Sequence, residues 1–531
     1  MSNVVALTSP LDQFDEFQTP QIQQWDEKQL VAALERASLT DLQKLIKVHP
    51  VKSASSVRRG RFSPPTEAVA NIRLDVVEGE RSMLEVNGVK MEIDVDGVSG
   101  ESIVAMIEQY IKLKVVEEVT KQEGSSPVDV NMAPQSLVDQ LTVLSQTSGK
   151  SSLNLVNLGV VIDKYHLWRR MFPRIQPFYA VKSNPDEMIC RSLHVSGAGF
   201  DCASKVELEQ ILKLPGVNVN DIIFANPCKQ VEHILYAKEH DVSMMTFDNP
   251  YELEKIYKHF PGAKLVLRLL PDDSHSLMPF GSKFGASFAE ACSLMQRCKE
   301  LGMSLIGVSF HVGSGCFSSV AWIEALKLAR LVFDEARKYG YLMNLVDIGG
   351  GFPGVETGNL PLSAIGPDVA PIADALFSSD VRIIAEPGRF FCTQSTTLAC
   401  TVVSKRERMV SVTHPLPADS PADATPVTTM EPESQLYLSD GIYGSMNCIV
   451  FDHVVLDPAP LNPEGASRPL QRTTMWGPTC DSIDVVVKGL PFPDSNVGEW
   501  LYFENMGAYT SAAASSFNGF APPSPFYVLN P

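Results

Sequence analysis

The chain has 531 residues, too many for one ordinary domain, so two or three compact units are expected. Hydrophobic residues make up 44% of it and charged residues 20%, as in globular proteins, and no apolar stretch is long enough to cross a bilayer. The formal net charge of −18 argues against nucleic acid or an anionic membrane as the main partner and fits small or cationic ligands.

Residues 1–140 differ in pattern from the rest and are predicted to form an added α+β or partly disordered extension. Within them, Asn87-Gly88 is a tight-turn signal between two apolar runs. A helix is predicted near residues 135–145, and a strand within about 141–158 is predicted to join the C-terminal β-domain.

Short apolar runs recur from about residue 155, and each ends in polar or glycine-rich residues before a segment with helical periodicity. There are eight such units, which predict an α/β fold with a TIM-like (β/α)8 barrel over residues 155–393. A doubly wound open sheet is the alternative, although it seldom needs eight units.

The helical segments fade after about residue 393, and residues 394–531 have the pattern of successive strands. This pattern predicts a second, all-β domain. A proline-rich interruption at residues 414–434 predicts a mobile loop between two of its strands.

The cysteines and the first residues of the sequence indicate the cellular compartment of the protein. The ten cysteines lie between Cys190 and Cys480 without a CxxC pair or a dense cluster, which favours reduced thiols over a disulfide framework or a zinc site. The first residues, MSNVVALTSPLDQFDEF, lack the basic and apolar regions of a secretory signal. A cytoplasmic protein is therefore expected.

Polar residues and glycines follow the predicted barrel strands at the ends where a barrel of this kind carries its active site. A strand-end aspartate usually caps a helix and a lone histidine is more often structural, so each residue alone has an ordinary explanation. Together they favour an active site. The strand ends are Lys182, Asp201, Asn226, Asp248, Arg268, His311, Gly349, Gly350, Gly351 and Glu386.

Lys182 ends the apolar run PFYAV, and a lysine amine can form a Schiff base with an aldehyde cofactor, most commonly pyridoxal phosphate. The phosphate of that cofactor needs glycine-rich backbone amides and a cation, which DIGGGFPG and Arg389 offer. Its pyridine nitrogen needs a carboxylate, which Glu386 offers, and its ring needs a flat neighbour, which His311 offers. A barrel that binds sugar phosphates would explain the glycines but not the pairing of Lys182 with Glu386.

From about residue 155 to 529 the sequence resembles the eukaryotic ornithine decarboxylases, in the alanine-racemase-like (fold type III) group of pyridoxal-phosphate enzymes. The motifs that carry the resemblance occur in order as PFYAVKSNPD, GAGFDCASKVELE, IIFANPCKQ, GVSFHVGSGC, DIGGGFPG, IAEPGRFF, DGIYGSMNCIVFDH, WGPTCDSID and FENMGAYT. The resemblance implies decarboxylation of L-ornithine to putrescine and carbon dioxide with pyridoxal 5'-phosphate, the entry step of polyamine synthesis.

The resemblance also implies a role for each matching residue. Lys182 would hold the cofactor, Glu386 would face its pyridine nitrogen, and His311 would stack on its ring. Cys480 would return a proton to the substrate carbon. The remaining cofactor-binding set would be Asp201, Arg268, Ser314, Gly349, Gly350, Gly351, Gly388, Arg389 and Tyr509.

Asp452 and Asp481 resemble the carboxylates that bind the terminal ammonium of the substrate, and Phe451 stands where tyrosine is common in the group. A homodimer with shared active sites is implied, in which Lys283 and Asp484 form an ion pair between subunits. Regulation by the inhibitor protein antizyme is left open.

Three alternatives remain at this point. A decarboxylase of lysine, arginine or diaminopimelate would share the fold. A catalytically inactive regulator similar to antizyme inhibitor would lack the cofactor residues, which this sequence retains. An amino-acid racemase would need a tyrosine base opposite the lysine, and the cysteine of GPTCD argues against it.

Overall fold

The computed structural model describes Val115 and residues 136–356, 360–414, 425 and 427–529, and also the backbone of six short strands before residue 131. None of the helices in these residues has the length and apolar composition that crossing a membrane requires.

Eight parallel strands close into a barrel, because the last strand, Arg382–Ala385, pairs with the first, Ile175–Ala180. The predicted (β/α)8 barrel is therefore confirmed, and the open-sheet alternative is wrong. Between these two lie the strands Gly199–Cys202, Ile222–Phe224, Met244–Phe247, Lys264–Arg268, Ser304–Ser309 and Leu345–Asp347. The surrounding helices are Leu158–Met171, Glu187–Ser196, Lys205–Leu212, Val231–Glu239, Pro250–His259, Phe288–Leu301, Ser319–Ala336 and Leu362–Leu376.

The barrel strands are short apolar runs because parallel strands are covered on both faces. Inside the barrel a compact cluster that includes Phe178, Ile223 and Val266 fills the space, so the barrel is a packed core. Helix starts are fixed locally. Asn249 caps the helix Pro250–His259, and Ser287 forms a capping box with Glu290 at the next helix. This regular packing holds the polar strand ends together at one mouth.

The region after the barrel is rich in strands, as predicted, and its sheet includes strands from before the barrel. Ser152–Asn157 pairs antiparallel with Thr396–His414 and parallel with Pro525–Leu529. Two single-turn helices, Cys448–Phe451 and Pro463–Ala466, interrupt the strands. The other strands of this sheet are Val128–Val130, Val427–Leu438, Pro458–Pro460, Leu470–Trp476, Val485–Pro493 and Trp500–Phe503.

The loop predicted at residues 414–434 is too long, because residues from Val427 onward form a strand. His414 lies opposite Val427 in an antiparallel ribbon that continues to Val402 opposite Leu438. The first part of the second strand, VTTMEP, is exposed along nearly its whole length. Because this part has no buried face, its sequence lacks the apolar alternation by which a strand is recognised. Residues 415–424 and 426 lie outside the described residues, so the mobility predicted for them stays a prediction.

The N-terminal extension contributes strands of its own. Glu80–Val86 and Val89–Asp94 pair antiparallel with Val86 opposite Val89, the arrangement that the intervening Asn-Gly pair predicts. The helix predicted near residues 135–145 is confirmed as Leu137–Thr147. The domain boundaries near residues 140, 155 and 393 stay predictions.

Candidate active site

Lys182 lies in a single 3-10 turn, Val181–Ser183, directly after the strand Ile175–Ala180. Its Nζ is 2.5 Å from Oδ2 of Asp201, a buried residue in the adjacent barrel strand. Burial lowers the pKa of Lys182, but its side chain keeps 42% exposure, and Asp201 followed by Glu386 raises the pKa above the ordinary value. The strand therefore brings a charged amine to the barrel mouth.

Two buried carboxyl groups lie together opposite the lysine. Asp347 ends its strand with no exposed surface, and Glu386, 8% exposed, follows the neighbouring strand. Burial raises the pKa of Asp347 to about 7, and burial together with the charge of Asp347 raises the pKa of Glu386 well above its ordinary value. Two buried acids that interact this closely disfavour being charged together, so the protonated form of the pair is favoured.

Arg268 balances these carboxylates. It ends the strand Lys264–Arg268, and its guanidinium carbon lies 5.0 Å from the centre of the Phe284 ring. Burial lowers the pKa of Arg268, and Glu386 is the largest of several nearby acids that oppose that change. Its Nε has no hydrogen-bond partner among the described residues, which leaves a donor free at the mouth.

His311 is held as a flat, neutral ring. Its Nδ1 is 3.0 Å from the backbone nitrogen of Gly313, so it accepts that hydrogen bond and the proton is assigned to Nε2. The Phe280 ring centre lies 5.0 Å from the imidazole centre. Burial lowers the pKa of His311 well below its ordinary value, and positive Arg268 adds to the effect. A neutral imidazole of this kind can lie against another aromatic ring.

The three glycines after Leu345–Asp347 stand where the backbone packs too closely for a side chain. Gly349 and Gly351 have φ of +64° and +99°, in the left-handed region that favours glycine. A Cβ on Gly350 would lie 2.8 Å from both His311 Nε2 and the Glu386 carbonyl oxygen. Three glycines in a row thus let this turn pack directly against His311 and Glu386 at the charged mouth.

Arg389 supplies a cation at the mouth, beside Ser314. Its Nη2 lies 3.4 Å from Ser314 Oγ and 2.7 Å from Asp452 Oδ2. The ring centre of Tyr509 is 4.8 Å from its guanidinium carbon. The predicted phosphate ligands Arg389, Ser314 and Tyr509 are therefore adjacent, and one predicted substrate ligand, Asp452, touches them.

Backbone contacts fix this group to the lysine turn. Tyr509 has φ of +53° and donates its backbone N–H to the Ser183 carbonyl oxygen at 2.8 Å. A Cβ on Gly388 would lie 2.8 Å from Ser183 Cβ, so the turn that carries Arg389 packs closely on the turn that carries Lys182. The barrel and the C-terminal segment thus meet at the mouth.

Cys480 and Asp481 lie on a separate loop. The Cys480 backbone N–H donates to Asn518 Oδ1 at 3.1 Å, and Cys480 itself is exposed. The Tyr443 hydroxyl donates to Asp481 Oδ2 at 2.5 Å and lowers the pKa of that carboxyl. Among the described residues of this one chain, neither Cys480 nor Asp481 forms a hydrogen bond or ion pair with Lys182.

The residues predicted for the subunit contact are also apart within the chain. Asp484 is buried, and its oxygens accept hydrogen bonds from the Ile442 backbone at 2.9 Å and the Thr479 hydroxyl at 2.6 Å. Lys283 is exposed with its Nζ 5.0 Å from the centre of the Phe284 ring. Asp484 therefore braces its own loop, and an ion pair with Lys283 of another copy stays a prediction. Phe451 is 62% exposed beside Asp452.

Two strand-end residues serve the scaffold. Asn226 Nδ2 donates to the Ala203 carbonyl oxygen at 3.1 Å, and Asp248 Oδ2 accepts from the Gly285 backbone N–H at 2.9 Å. Both therefore hold loops beside the mouth, and for Asp248 this structural role differs from the helix cap that is usual for a strand-end aspartate.

Sequence reasoning missed Asp347, Phe280 and Tyr443. Asp347 ends a buried apolar run directly before the three glycines, so the rule that selected Glu386 would also have selected it. Phe280 and Tyr443 lie in loops, where no periodicity indicates which side chain faces the site.

These residues fit pyridoxal phosphate. The mouth combines a lysine amine, a carboxyl group with a raised pKa, a neutral flat ring and a turn of three glycines, together with a guanidinium. In addition, Asp201 Oδ1 and Arg268 Nε are buried polar atoms without a hydrogen-bond partner among the described residues, as expected where a polar ligand binds.

Comparisons with known proteins point to the same group. A family model described as pyridoxal-dependent decarboxylase, pyridoxal binding domain, matches residues 158–393. Mouse (Mus musculus) ornithine decarboxylase is 41% identical over 415 residues, covering 77% of this chain and 88% of the relative. Antizyme inhibitor 2 of Xenopus laevis is 44% identical over 379 residues, covering 71% of this chain and 81% of the relative.

Among solved structures, the arginine decarboxylase of Paramecium bursaria Chlorella virus bound to agmatine superposes with a TM-score of 0.66 at 30% identity. The match covers 74% of this chain and 100% of the viral one. Shared sequence over most of each relative, together with a shared fold and a mouth suited to the cofactor, leads to one conclusion: the chain belongs to the family of pyridoxal-dependent decarboxylases that includes the ornithine decarboxylases.

Proposed function

We propose that the chain decarboxylates L-ornithine to putrescine and carbon dioxide with pyridoxal phosphate. The observation that carries the proposal is the convergence of Lys182, Asp201 and Glu386 on one barrel mouth, beside the turn of three glycines at residues 349–351. The similarity to mouse ornithine decarboxylase supports the choice of substrate.

The cofactor, when bound, supplies the electron sink for the carbon that loses carbon dioxide. Lys182 would hold it by its aldehyde carbon. Its phosphate would be held by the backbone of the glycine turn at residues 349–351, together with Ser314 and Arg389. Burial and the charge of Asp347 raise the pKa of Glu386, so this carboxyl group can share a proton with a ring nitrogen. Asp201 keeps the lysine amine oriented through the 2.5 Å contact.

Two carboxylates would select the substrate. Asp452 lies at the mouth and Asp481 on the loop fixed by Tyr443. A terminal ammonium buried without a partner is costly, so paired carboxylates favour a diamino acid over a neutral amino acid. Cys480 would deliver a proton from Sγ to the substrate carbon after carbon dioxide leaves.

We further propose a homodimer in which the loop of Cys480 and Asp481 completes the mouth of the other copy. Among the described residues of one chain this loop makes no polar contact with Lys182, and exposed apolar side chains lie on the loop, next to Asp452 and in the segment around Asn518 that contacts the loop. They are Phe451, Ile483, Phe517 and Phe520, which are 43–62% exposed. The proposed location is the cytoplasm, in keeping with ten free thiols.

Similarity to antizyme inhibitor 2 makes a non-catalytic regulator the second candidate. Such a regulator is expected to have lost the cofactor residues. This chain retains Lys182, Glu386 and Arg389 in contact with the partners that catalysis needs, which favours the enzyme.

The function is tested by measuring carbon dioxide release from ornithine, lysine and arginine in parallel, together with the visible absorption band of the bound cofactor. Lys182→Ala should abolish both the band and the release, because Lys182 supplies the amine that is proposed to hold the aldehyde. Lys327→Ala, which removes an exposed surface lysine, is the control and should leave both unchanged. Release that survives in Lys182→Ala, or no release from any of the three substrates, would refute the proposal.

The shared site is tested by mixing two inactive variants. Lys182→Ala and Cys480→Ala disable different parts of one site, so a mixed dimer keeps one intact site if each site draws on both chains. Unfolding and refolding an equal mixture should restore about a quarter of the wild-type activity. Cys228→Ala, at the other exposed cysteine, should remain active alone. A mixture as inactive as its components would contradict the shared site.

A further inference from the structure

The cation predicted for the cofactor phosphate and the carboxylate predicted for the substrate ammonium are in direct contact. Arg389 Nη2 donates to Asp452 Oδ2 at 2.7 Å, and the two side chains are only 21% and 15% exposed. The same nitrogen is 3.4 Å from Ser314 Oγ, and the Tyr509 ring lies over the guanidinium. The pair is therefore part of the packed mouth and more than a solvated surface contact.

A half-buried pair of this kind affects what each partner can bind next. A phosphate group at Arg389 would place a second anion beside Asp452, and the two anions repel each other strongly where water is scarce. An ammonium at Asp452 would likewise place a second cation beside Arg389. When both ligands are present the four charges alternate in sign, so each ligand removes the repulsion that opposed the other.

We propose that Asp452 competes with a phosphate group for Arg389, and that a terminal ammonium bound at Asp452 relieves this competition. Phosphate and a diamine then bind cooperatively, and the coupling has the same size in both directions. The diamine half rests on the proposed function, whereas the competition for Arg389 rests on the ion pair alone. Asp452 is thus a determinant of phosphate affinity as well as a substrate ligand.

The competition is tested on the full chain with its cofactor removed, by calorimetric titration with inorganic phosphate at fixed ionic strength. Asp452→Asn keeps the shape of the side chain and removes its charge, so it should tighten phosphate binding about fivefold or more. Glu499→Gln is the matched control, because Glu499 pairs with Arg468 at 2.6 Å and is 25% exposed. This variant should bind phosphate as the wild type does.

The cooperative half is tested with 1,4-diaminobutane as the second probe. A saturating concentration should tighten phosphate binding to the wild type by about the same factor and should have no such effect on Asp452→Asn. The wild-type measurement needs no variant, so the proposal stays testable if Asp452→Asn fails to fold.

Each outcome tests one half of the proposal, either the competition for Arg389 or the cooperative binding. Phosphate binding that is unchanged or weaker in Asp452→Asn, or an equal gain in Glu499→Gln, would overturn the competition. If the competition holds and the diamine has no effect, the cooperative half is overturned while the competition stands. Carbon dioxide release from ornithine is measured separately, so failure of the proposed function would be recognised independently.

Discussion

At the scale of single residues, the mouth depends on groups whose charge differs from what an exposed side chain would carry. Asp347 and Glu386 are buried against each other, and burial raises the pKa of both. Lys182 stays charged because Asp201 is 2.5 Å away. Burial therefore favours the protonated form of the acids, whereas the contact with Asp201 favours the charged form of the lysine.

The buried Asp347 makes stability depend on pH. Its pKa rises from the ordinary 3.8 to about 7 in the folded chain, so the folded state binds the proton more tightly than the unfolded state does. Its contribution to stability is full below about pH 4 and is lost as pH rises through about 7. Relative to Asp347→Asn, the cofactor-free wild type should lose about 1 kcal/mol of unfolding free energy per pH unit between about pH 5 and 7.

Urea unfolding at several pH values measures this difference. Asp334→Asn is the control, because Asp334 is a surface residue, 58% exposed in its side chain, and its removal should give no pH-dependent difference. Parallel pH profiles for the wild type and Asp347→Asn would show that Asp347 is already ionised in the folded chain.

At the scale of elements, the loop after Leu345–Asp347 is shaped by glycine for two separate reasons. Gly349 has φ of +64°, and a Cβ there would lie 2.1 Å from the Phe310 carbonyl oxygen. Gly302, at the end of the helix Phe288–Leu301, has nearly the same φ of +67° but no heavy atom within 4 Å of its Cβ position. A comparison of substitutions at Gly302 and Gly349 therefore separates the cost of backbone strain from the cost of steric overlap.

Gly302→Ala should cost about 1 kcal/mol of unfolding free energy, the strain of a left-handed alanine. Gly349→Ala should cost roughly 2 to 4 kcal/mol, because the loop must also shift to clear Phe310. It should further weaken inorganic phosphate binding, while Gly302→Ala should not. Denaturant unfolding and phosphate calorimetry measure the two effects, and equal costs would mean that the loop accommodates the methyl group.

At the scale of the whole molecule, those residues of the N-terminal extension that the structure describes contact the body at two places. Val128–Val130 pairs in parallel with Tyr527–Leu529 at the edge of the C-terminal sheet. Val115 has no exposed surface and belongs to the main barrel core. An edge strand and a core residue from the same extension indicate that it stabilises the body.

Truncation distinguishes these contacts from the rest of the extension. A chain starting at residue 114 keeps both contacts and should unfold near the wild-type temperature. A chain starting at residue 136 exposes the edge strand and uncovers the core at Val115, so its melting temperature should fall by at least about 2 °C. Scanning calorimetry measures both chains, and equal melting temperatures would show that neither contact stabilises the body.

The sequence alone determined the barrel and most of its mouth. Buried parallel strands are short apolar runs, and their ends come to one side whatever their register, so local pattern was enough to find Lys182, His311 and Glu386. The resemblance to a family then named residues on loops, such as Cys480, that no periodicity could have placed.

Tertiary structure decided which of these residues touch. The contact of Arg389 with Asp452 and the pairing of Asp347 with Glu386 join segments far apart in the chain. Such contacts depend on barrel closure and strand register, which are set by the packing of the whole chain. Local hydrophobic patterns carry no record of that packing, so the sequence identified the charged groups and only the fold arranged them into pairs.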